Sequence, residues 1–371
     1  MDNSRSFVEI DLKKLIYNID NIYKYSKKQI YAVVKANAYG HGAVQVAKSL
    51  KNKDYVVGFC VAVVQEAIEL RKNGISKSIL NLGATFIDEI DNSIENNIEM
   101  TVYDLDIAKT ISKHAVSLNK QALIQIKLDT GMSRLGFPIN DNTVNKIEFI
   151  SHLPNIKIVG MFTHFSKADE KDKTFTYEQL DRFLYIKHEL DKKNIRFDHY
   201  HCCNSPALFY IKCDELDTIR PGRIMYGMYH DNIDKELINV SPILSFYSHV
   251  SSVKNIPPNS LVGYGGTFVS KNNMKIATVA VGYADGYPNS LSNKGYILIH
   301  GKKANILGRV CMDQVMIDIS DIDDVKFQDR VTLIGCDGKY TISIEDIADL
   351  SCHHPLEILS LISNRVPRIY I

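Results

Sequence analysis

The strongest constraint on the fold is a repeated alternation of short apolar runs with longer amphipathic stretches between residue 30 and about residue 220. The longer stretches, such as residues 177–191, carry apolar residues at helical spacing. Eight short runs have the composition of β-strands: residues 30–35, 55–62, 78–82, 98–103, 121–128, 156–163, 197–203 and 216–219. Eight β-α alternations over roughly 200 residues predict a closed, parallel (β/α)8 barrel of the TIM type.

The pattern changes after about residue 237. Strand-like runs alternate there with turn signals such as Pro257-Pro258-Asn259: residues 243–253, 274–281, 296–300, 315–319 and 330–334. The chain of 371 residues also exceeds what one hydrophobic core usually serves, roughly 250 to 300 residues. We therefore predict a barrel domain over residues 1–236 and a mainly β domain over residues 237–371, closely joined.

Composition excludes several classes of protein. The formal charge of +1 and the lack of a basic stripe argue against nucleic acid as a partner. The longest apolar runs, such as residues 55–64, are shorter than the ~20 residues of a membrane span. Residues 1–11 lack the apolar core of a signal peptide, so we expect a cytoplasmic protein. Seven cysteines without any C-x-x-C indicate neither a disulfide framework nor a zinc ribbon, and no metal site is predicted.

In a barrel of this kind, polar residues at the carboxyl ends of the strands face the active site. The first predicted strand ends in Lys35, within AVVKANAYGHG. A lysine there can simply reach solvent. Alternatively, partial burial lowers its pKa and leaves a neutral amine that bonds covalently to an aldehyde. The residue by itself does not decide between the two.

Polar segments also follow four later strands: KLDTGMSRLG, THF, HCCNS and RPGR. Because the carboxyl ends of barrel strands meet at one mouth, these segments are expected to converge with Lys35. Lysine, arginine, histidine, serine and glycine together suit an anionic, aromatic cofactor.

The run AVVKANAYGHG resembles the cofactor-binding signature of alanine racemases. Further segments are similar to that family in its order, over essentially the whole chain: KLDTGMSRLGF, THFS, NSPA, RPGRIMYG, VGYGGTF, VGYADGYP, GRVCMDQ and RVPRIY. The resemblance implies a barrel followed by a β domain, the cofactor pyridoxal 5′-phosphate (PLP), and a homodimer that shares its active sites. It also implies an isomerase that interconverts L-alanine and D-alanine by a two-base mechanism. The use of D-alanine, as a peptidoglycan precursor or otherwise, is left open.

The resemblance assigns the two bases. Lys35 holds the cofactor and serves the D-face of the substrate, whereas Tyr264 reaches over from the opposite subunit and serves the L-face. Without the resemblance, Tyr264 would be interpreted as a turn residue that covers apolar surface. Tyrosine has a reference pKa of about 10, so such a base needs a neighbouring cation, for which His164 is the expected contributor. Arg220 is expected to hydrogen-bond the pyridine nitrogen.

The resemblance also indicates how the rest of the cofactor is held. The phosphate is expected among Tyr39, Asn204, Ser205 and the backbone amides of Gly222 and Arg223. A hydroxyl before helix-forming residues suits an anion, because a helix N-terminus presents free N–H groups. The same pattern also fits an ordinary N-cap serine followed by proline.

Three residues are assigned to the substrate side. Arg134 and the amide of Met312 are expected to bind the substrate carboxylate, Met312 across the dimer. Lys127 corresponds to a lysine that many members carry as a carbamate, which would give Arg134 an anionic partner. The alternative is an unmodified Lys127 that pairs with Asp129 or with a more distant carboxylate.

The sequence departs from the family pattern at three positions. Leu356 replaces a tyrosine, Asn289 replaces an arginine, and Gly263 replaces a serine. The first two substitutions remove polar groups from the pocket entrance, so serine or another small amino acid stays open as the preferred substrate.

Two other classes of protein fit the pattern less well. A fold-related PLP-dependent decarboxylase would use a cysteine such as Cys311, but the adjoining MDQ and the VGYG tyrosine fit the racemase pattern better. A cofactor-carrier protein would lack the β domain, and this chain has one that contains Tyr264 and Met312.

Overall fold

The structure is a computed structural model that describes residues 4–371. Residues 1–3 lie outside the described residues. They belong to the N-terminal segment in which no signal peptide is expected. Contacts divide the chain into two compact units. The barrel unit comprises Lys14–Ala38 and Ala43–Pro242, and the β unit comprises the residues up to Lys13, Tyr39–Gly42 and Ile243–Ile371. Within residues 4–371, the helices are too short or too polar to cross a membrane.

The barrel unit is built on a parallel sheet of eight strands. They are β2 (Gln29–Val33), β3 (Val56–Val61), β4 (Ser78–Asn81), β5 (Glu99–Val102), β6 (Ala122–Lys127), β7 (Ile156–Phe162), β8 (His199–His201) and β9 (Thr218–Ile219). Their order is β8-β7-β6-β5-β4-β3-β2-β9. The two ends also meet, because Arg220 N donates to Cys203 O at 2.9 Å and Asp217 N donates to Tyr200 O at 3.3 Å. The predicted barrel is confirmed, with each predicted run coinciding with one strand.

Helices alternate with these strands. They are α1 (Leu12–Ser26), α2 (Lys35–Tyr39, a short segment with left-handed backbone angles), α3 (Ala43–Leu50), α4 (Val64–Lys72), α5 (Ile90–Glu95), α6 (Leu105–Ser117), α7 (Asp141–Ser151) and α8 (Thr174–Lys192). Helix α6 shows how the sequence sets them. It begins after Asp104, whose carboxylate accepts the N–H of Ile107, and it buries Ala108, Ile111 and Ala115 on one face.

The β unit contains a nine-stranded sheet and a short hairpin. The strands of the unit are β1 (Ser6–Ile10), β10 (Leu244–Ile256), β11 (Leu261–Val262), β12 (Phe268–Val269), β13 (Met274–Val279), β14 (Tyr296–Ile299), β15 (Lys302–Leu307), β16 (Val315–Asp318), β17 (Arg330–Asp337), β18 (Tyr340–Ile342) and β19 (Arg368–Tyr370). Strands β11 and β12 form the hairpin, and the sheet order is β18-β17-β14-β15-β16-β13-β10-β1-β19. Two helices, α9 (Ile344–Ser351) and α10 (Pro355–Leu361), precede β19. The predicted mainly β second domain is confirmed.

The N-terminal strand belongs to the β unit, whereas the predicted domain ranges place residues 1–236 together. Strand β1 pairs antiparallel with β10, Val8 opposite Phe246, and parallel with β19, Val8 opposite Arg368. Val8 and Ile10 are fully buried in this sheet. The partners of β1 lie more than two hundred residues along the chain, so local patterning does not reveal them.

The cysteines are free thiols in the described chain. Cys60, Cys202 and Cys203 are buried in the barrel unit, and Cys336 and Cys352 are exposed.

Candidate active site

Cationic side chains gather at the carboxyl ends of the barrel strands. Lys35 follows β2, Lys127 ends β6, and Arg220 follows β9. Lys127 and Arg220 are only 4% and 3% exposed. The Lys127 Nζ lies 5.4 Å from the centroid of the Phe162 ring, and the Arg220 guanidinium lies 5.2 Å from the same centroid. The structure therefore brings Lys127 and Arg220 together around one aromatic ring at the barrel mouth.

Burial and mutual repulsion weaken the protonation of both lysines. Burial lowers the pKa of Lys127 to about 8, with Arg134, Arg220 and Lys35 adding to the effect. Burial, followed by Arg134, also lowers the pKa of Lys35, and Glu66 partly offsets this shift. Both amines are therefore easier to deprotonate, and so more nucleophilic near neutral pH, than an exposed lysine.

Arg220 is held by its terminal nitrogens. Nη1 donates to His201 O at 2.8 Å and contacts His201 Nδ1. Nη2 donates to Thr163 O at 2.6 Å and to Cys202 O at 3.2 Å. The Nε–H has no acceptor within residues 4–371. That N–H is therefore the donor that Arg220 can offer to a ligand.

His164 is neutral in this site, which differs from the expectation that it supplies positive charge. Its Nδ1 lies 3.5 Å from Arg220 Nη2. Burial lowers the pKa of His164 well below its ordinary value, and the positive charges of Arg220 and Arg134 lower it further. An uncharged ring in this position acts as a hydrogen-bond partner.

The predicted phosphate-binding residues of the barrel unit lie together. The buried Ser205 Oγ accepts the N–H of Gly222 at 3.0 Å and lies 3.5 Å from Ile224 N. Asn204 Oδ1 accepts the N–H of Ala207 at 3.2 Å. Asn204 therefore bonds the first residue of the short helix that follows, whereas Ser205 is joined to Gly222. Arg223 is buried immediately after Gly222.

A left-handed turn follows Lys35. Ala36, Asn37, Ala38 and Tyr39 all have φ between 51° and 55°. The left-handed conformation costs an L-residue roughly 1–2 kcal/mol, so a run of four requires support. Glu66 provides it, since its carboxylate accepts the Ala36 N–H at 2.6 Å and the Ala62 N–H at 2.8 Å. Asn37 Oδ1 in turn accepts the Ala43 N–H at 2.9 Å.

The loop that carries Arg134 is organised by Asp129. One carboxylate oxygen accepts the N–H groups of Gly131, Met132 and Ser133 at 2.9–3.0 Å. The alternative in which Asp129 pairs with Lys127 is therefore not seen. Over residues 4–371, Lys127 forms no ion pair with any carboxylate. Arg134 is exposed on the same loop.

The β unit has a surface cavity with a volume of about 730 Å³. Tyr264 and Met312 line this cavity, together with Leu261, Gly263 and Cys311. Tyr264 is 70% exposed and Met312 is 52% exposed. The Met312 N–H donates to no group in the described chain, whereas its carbonyl accepts from Ala284 N at 3.0 Å. A free amide and an exposed phenol therefore line the same cavity of this unit.

An ion-pair network not anticipated from the sequence fixes the segment beside Met312. Arg365 Nε donates to the fully buried Asp285 at 2.7 Å, and its Nη2 donates to Asp313 at 2.8 Å. Arg5 pairs with the same Asp285 oxygen at 2.6 Å. Asp285 lies in the VGYADGYP segment and Arg365 lies in the RVPRIY segment. The resemblance of these two segments to the family is the sequence signal from which the network could have been found.

The three positions that depart from the family pattern have different surroundings. Gly263 has φ of +70°, and a Cβ there would lie 3.0 Å from Met316 Cε, so glycine suits this backbone. Asn289 Nδ2 donates to Val310 O at 2.6 Å, a backbone contact within the β unit. Leu356 is half-buried in helix α10.

Comparison with known proteins identifies the family of this chain. The family model for the alanine racemase N-terminal domain matches residues 10–230, and the model for the C-terminal domain matches residues 243–370. The chain belongs to the alanine racemase family. The alanine racemase of Clostridium perfringens strain SM101 is 43% identical over 366 residues, which cover 98% of this chain and 95% of the relative. That of Methanococcus maripaludis is 43% identical over 369 residues, which cover 98% of both proteins.

Solved structures of the family agree with this chain over its whole length. The alanine racemase of Clostridium difficile 630 has a TM-score of 0.95 at 37% identity and covers 100% of this chain and 97% of its own. The Bacillus anthracis enzyme with bound L-Ala-P has a TM-score of 0.92 at 31% identity, with 100% and 96% covered. The predicted alanine racemase family, fold and racemase class are confirmed.

Proposed function

We propose that this chain binds PLP through Lys35 and interconverts L-alanine and D-alanine. The observation that carries the proposal is the cluster of Lys35, Lys127, Arg134 and Arg220 at the barrel mouth. Burial and neighbouring positive charges lower the pKa values of Lys35, Lys127 and Arg220, and no carboxylate forms an ion pair with Lys127 among the described residues. Such an excess of positive charge calls for an anionic ligand.

The barrel residues fit PLP. Lys35 has the depressed pKa needed to attack an aldehyde, and Arg220 retains one N–H for a ring nitrogen. Ser205 and the amides of Gly222 and Arg223 would hold the phosphate, with Asn204 and Tyr39 as further contributors. When bound, PLP supplies the electron sink that makes the substrate α-proton acidic enough to remove. Arginine keeps its proton, so Arg220 would leave the ring nitrogen unprotonated and the sink moderate.

Two residues would move the α-proton. Lys35 Nζ takes or returns it on the D-face, and Tyr264 Oη does so on the L-face. Inversion follows because the proton leaves one face of the planar carbon and another proton arrives on the opposite face. Since His164 is neutral, it would serve Tyr264 only as a hydrogen-bond partner.

The substrate carboxylate would be bound by Arg134 and by the free amide of Met312. Lys127 would be a carbamate, because an amine with a pKa of about 8 has an appreciable neutral fraction at neutral pH, and only the neutral amine reacts with CO2. The added negative charge would be stabilised by Arg134 and Arg220. Bicarbonate-dependent activity in CO2-depleted buffer would test this modification.

The proposal includes a homodimer. Tyr264 and Met312 are exposed on the β unit next to Leu261, which is also exposed. A second copy that brings its barrel mouth to this surface would complete the site. A cytoplasmic location and a small amino acid as the only other partner remain predictions.

Serine or another small amino acid is the second candidate substrate, favoured by the apolar Leu356. The decarboxylase alternative loses support, because partial burial raises the pKa of the Cys311 thiol and disfavours its thiolate.

Deuterium uptake at the α-carbon, together with loss of optical activity, tests the proposal with L-alanine and L-serine in separate reactions. We expect both signals with alanine at a much higher rate than with serine. Faster reaction of serine would reassign the substrate. Absence of both reactions from PLP-loaded protein would overturn the proposed function.

A further inference from the structure

A chain of buried polar side chains runs through the barrel interior, starting at Arg220. His201 Nε2 lies 2.7 Å from Gln125 Oε1, and Gln125 Nε2 donates to Glu99 Oε2 at 2.6 Å. Tyr31 Oη also donates to Glu99 Oε2, at 3.1 Å. His201, Gln125 and Glu99 are at most 2% exposed. The chain therefore lies outside the reach of bulk water.

The chemistry of its two ends sets the direction of this chain. A guanidinium only donates hydrogen bonds, and a carboxylate only accepts them. His201 Nδ1 must therefore accept from Arg220 Nη1, so the ring carries its proton on Nε2 and donates to Gln125 Oε1. The amide of Gln125 then points its NH2 group at Glu99. One arrangement of protons satisfies every member.

Two observations agree with that arrangement. Burial, and next Arg220, lower the pKa of His201 well below its ordinary value, so the ring is neutral. Phe162 stacks on the His201 ring with centroids 5.1 Å apart and planes 5° apart, which leaves the ring little freedom to turn.

The carboxylate itself needs this chain. A buried charge is costly unless it is paired or well hydrogen-bonded. Within residues 4–371, Glu99 forms no ion pair, and its carboxylate accepts hydrogen bonds from Tyr31 and Gln125. The guanidinium of Arg220, reached through two neutral side chains, is the positive end of the same network.

We propose that Glu99 is a positioning residue that acts through Gln125 and His201 to hold Arg220 with its Nε–H free for a ligand. The role in catalysis rests on the proposed function, in which that N–H meets the pyridine nitrogen of PLP. The proton arrangement of the chain does not rest on it.

Replacing Glu99 by glutamine keeps the volume and removes the charge. Gln125 could then turn its amide either way, and His201 and Arg220 would lose their defined geometry. Because Arg220 is not assigned to the amino-acid substrate, we expect kcat to fall about tenfold, the size of one lost charge-assisted hydrogen bond, with KM for L-alanine changed less than twofold.

The test uses the full-length, PLP-loaded protein with 15N-labelled histidine rings. The variants are Glu99→Gln, Gln125→Met and, as matched control, Thr101→Val. Thr101 lies two residues from Glu99 on β5 and is equally buried. Its hydroxyl donates to Asn81 O at 2.5 Å, and neither residue belongs to the chain of polar side chains that joins Glu99 to Arg220. His201→Asn identifies the His201 signals, and thermal unfolding checks that each variant is folded.

We expect His201 in the unmodified protein to show the neutral Nε2–H form from pH 6 to pH 9. Glu99→Gln and Gln125→Met should broaden or split its signals and reduce kcat, and Thr101→Val should do neither. A proton on Nδ1, or on both nitrogens, in the unmodified protein would overturn the inference. So would a Glu99→Gln variant with unchanged His201 signals and kcat.

The remaining outcomes stay distinguishable. If Glu99→Gln does not fold, the Gln125→Met variant and the protonation of His201 in the unmodified protein decide. If the protein neither binds PLP nor racemises alanine, the proposed function fails. The His201 signals of the cofactor-free protein still test the proton arrangement.

Discussion

Single side chains at the barrel mouth owe their chemistry to burial. Lys35 and Lys127 have lowered pKa values because water is excluded and other cations are near, and His164 is neutral for the same reasons. The residue types alone are compatible with ordinary solvated groups. The environment therefore decides which of these side chains can act as a nucleophile or base.

Lys35→Ala should abolish the absorbance of the covalently held cofactor, because no amine remains at that position to bond to the aldehyde. Ultraviolet-visible spectra of protein purified with added PLP provide the measurement. Lys28→Ala is the control, since Lys28 precedes β2 and lies at the opposite end of that strand from Lys35. If the Lys35→Ala variant kept the absorbance of a cofactor bonded to a lysine, another lysine would have to hold the cofactor.

Tyr264→Phe should bind PLP normally and lose most turnover of L-alanine, because only the hydroxyl that carries the proton is removed. The rate from each enantiomer is measured separately by chiral chromatography. Tyr283→Phe, also an exposed tyrosine of the β unit, serves as the comparison. Unchanged rates in both directions for Tyr264→Phe would refute the two-base assignment.

Lys127 makes folding depend on pH in a definite direction. Its pKa falls from 10.5 when unfolded to about 8 when folded, so the unfolded chain binds more protons between these pH values, and stability rises with pH there. The cost at pH 7 relative to pH 11 is about 3 kcal/mol. Lys127→Met should therefore stabilise the cofactor-free protein in CO2-free buffer at pH 7 and lose this advantage as pH rises.

Urea unfolding at a series of pH values measures this difference. Lys120→Met replaces an exposed lysine of the same unit and should show no such pH dependence. A stability difference for Lys127→Met that does not vary with pH would contradict the lowered pKa.

At the scale of elements, the turn after β2 depends on helix α4. Glu66 lies in α4 and joins the Ala36 N–H, beyond the end of β2, to the Ala62 N–H, beyond the end of β3. Helix α4, which follows β3, thus returns a carboxylate to the carboxyl ends of both strands. This holds a left-handed turn that the chain would otherwise avoid.

Glu66→Ala should destabilise the protein by about 2 kcal/mol, through loss of two hydrogen bonds to a carboxylate, and should slow PLP binding by Lys35. Denaturant unfolding and the rate of cofactor absorbance recovery are the measurements. Glu69→Ala, on the exposed face of the same helix, is the matched control. Equal effects of the two substitutions would show that the turn does not depend on Glu66.

At the scale of the whole molecule, the proposed dimer makes a test by subunit mixing possible. If each site combines Lys35 of one subunit with the partner subunit's Tyr264, a dimer of Lys35→Ala and Tyr264→Phe chains contains one intact site and one doubly altered site. Unfolding and refolding the two inactive variants together in equal amounts should restore about a quarter of normal activity, since half of the dimers are mixed.

Refolding each variant alone is the control and should give no more than the residual activity of that variant. If Lys35 and Tyr264 of a site came from the same subunit, every site in the mixed dimers would stay defective. Absence of recovered activity despite mixed dimers, detected by different affinity tags, would therefore reject the shared site.

The sequence by itself determined the barrel, the β domain and the position of the candidate residues. Alternating apolar runs are local patterns, and motifs such as AVVKANAYGHG place Lys35 at a strand end without reference to distant residues. Tertiary structure alone decided that β1 joins the β unit, that His164 is neutral, and that Glu99, Gln125 and His201 form one chain with Arg220. Strand partners, burial and hydrogen bonds between neighbouring strands arise from contacts between residues far apart in the chain, and no local pattern contains them.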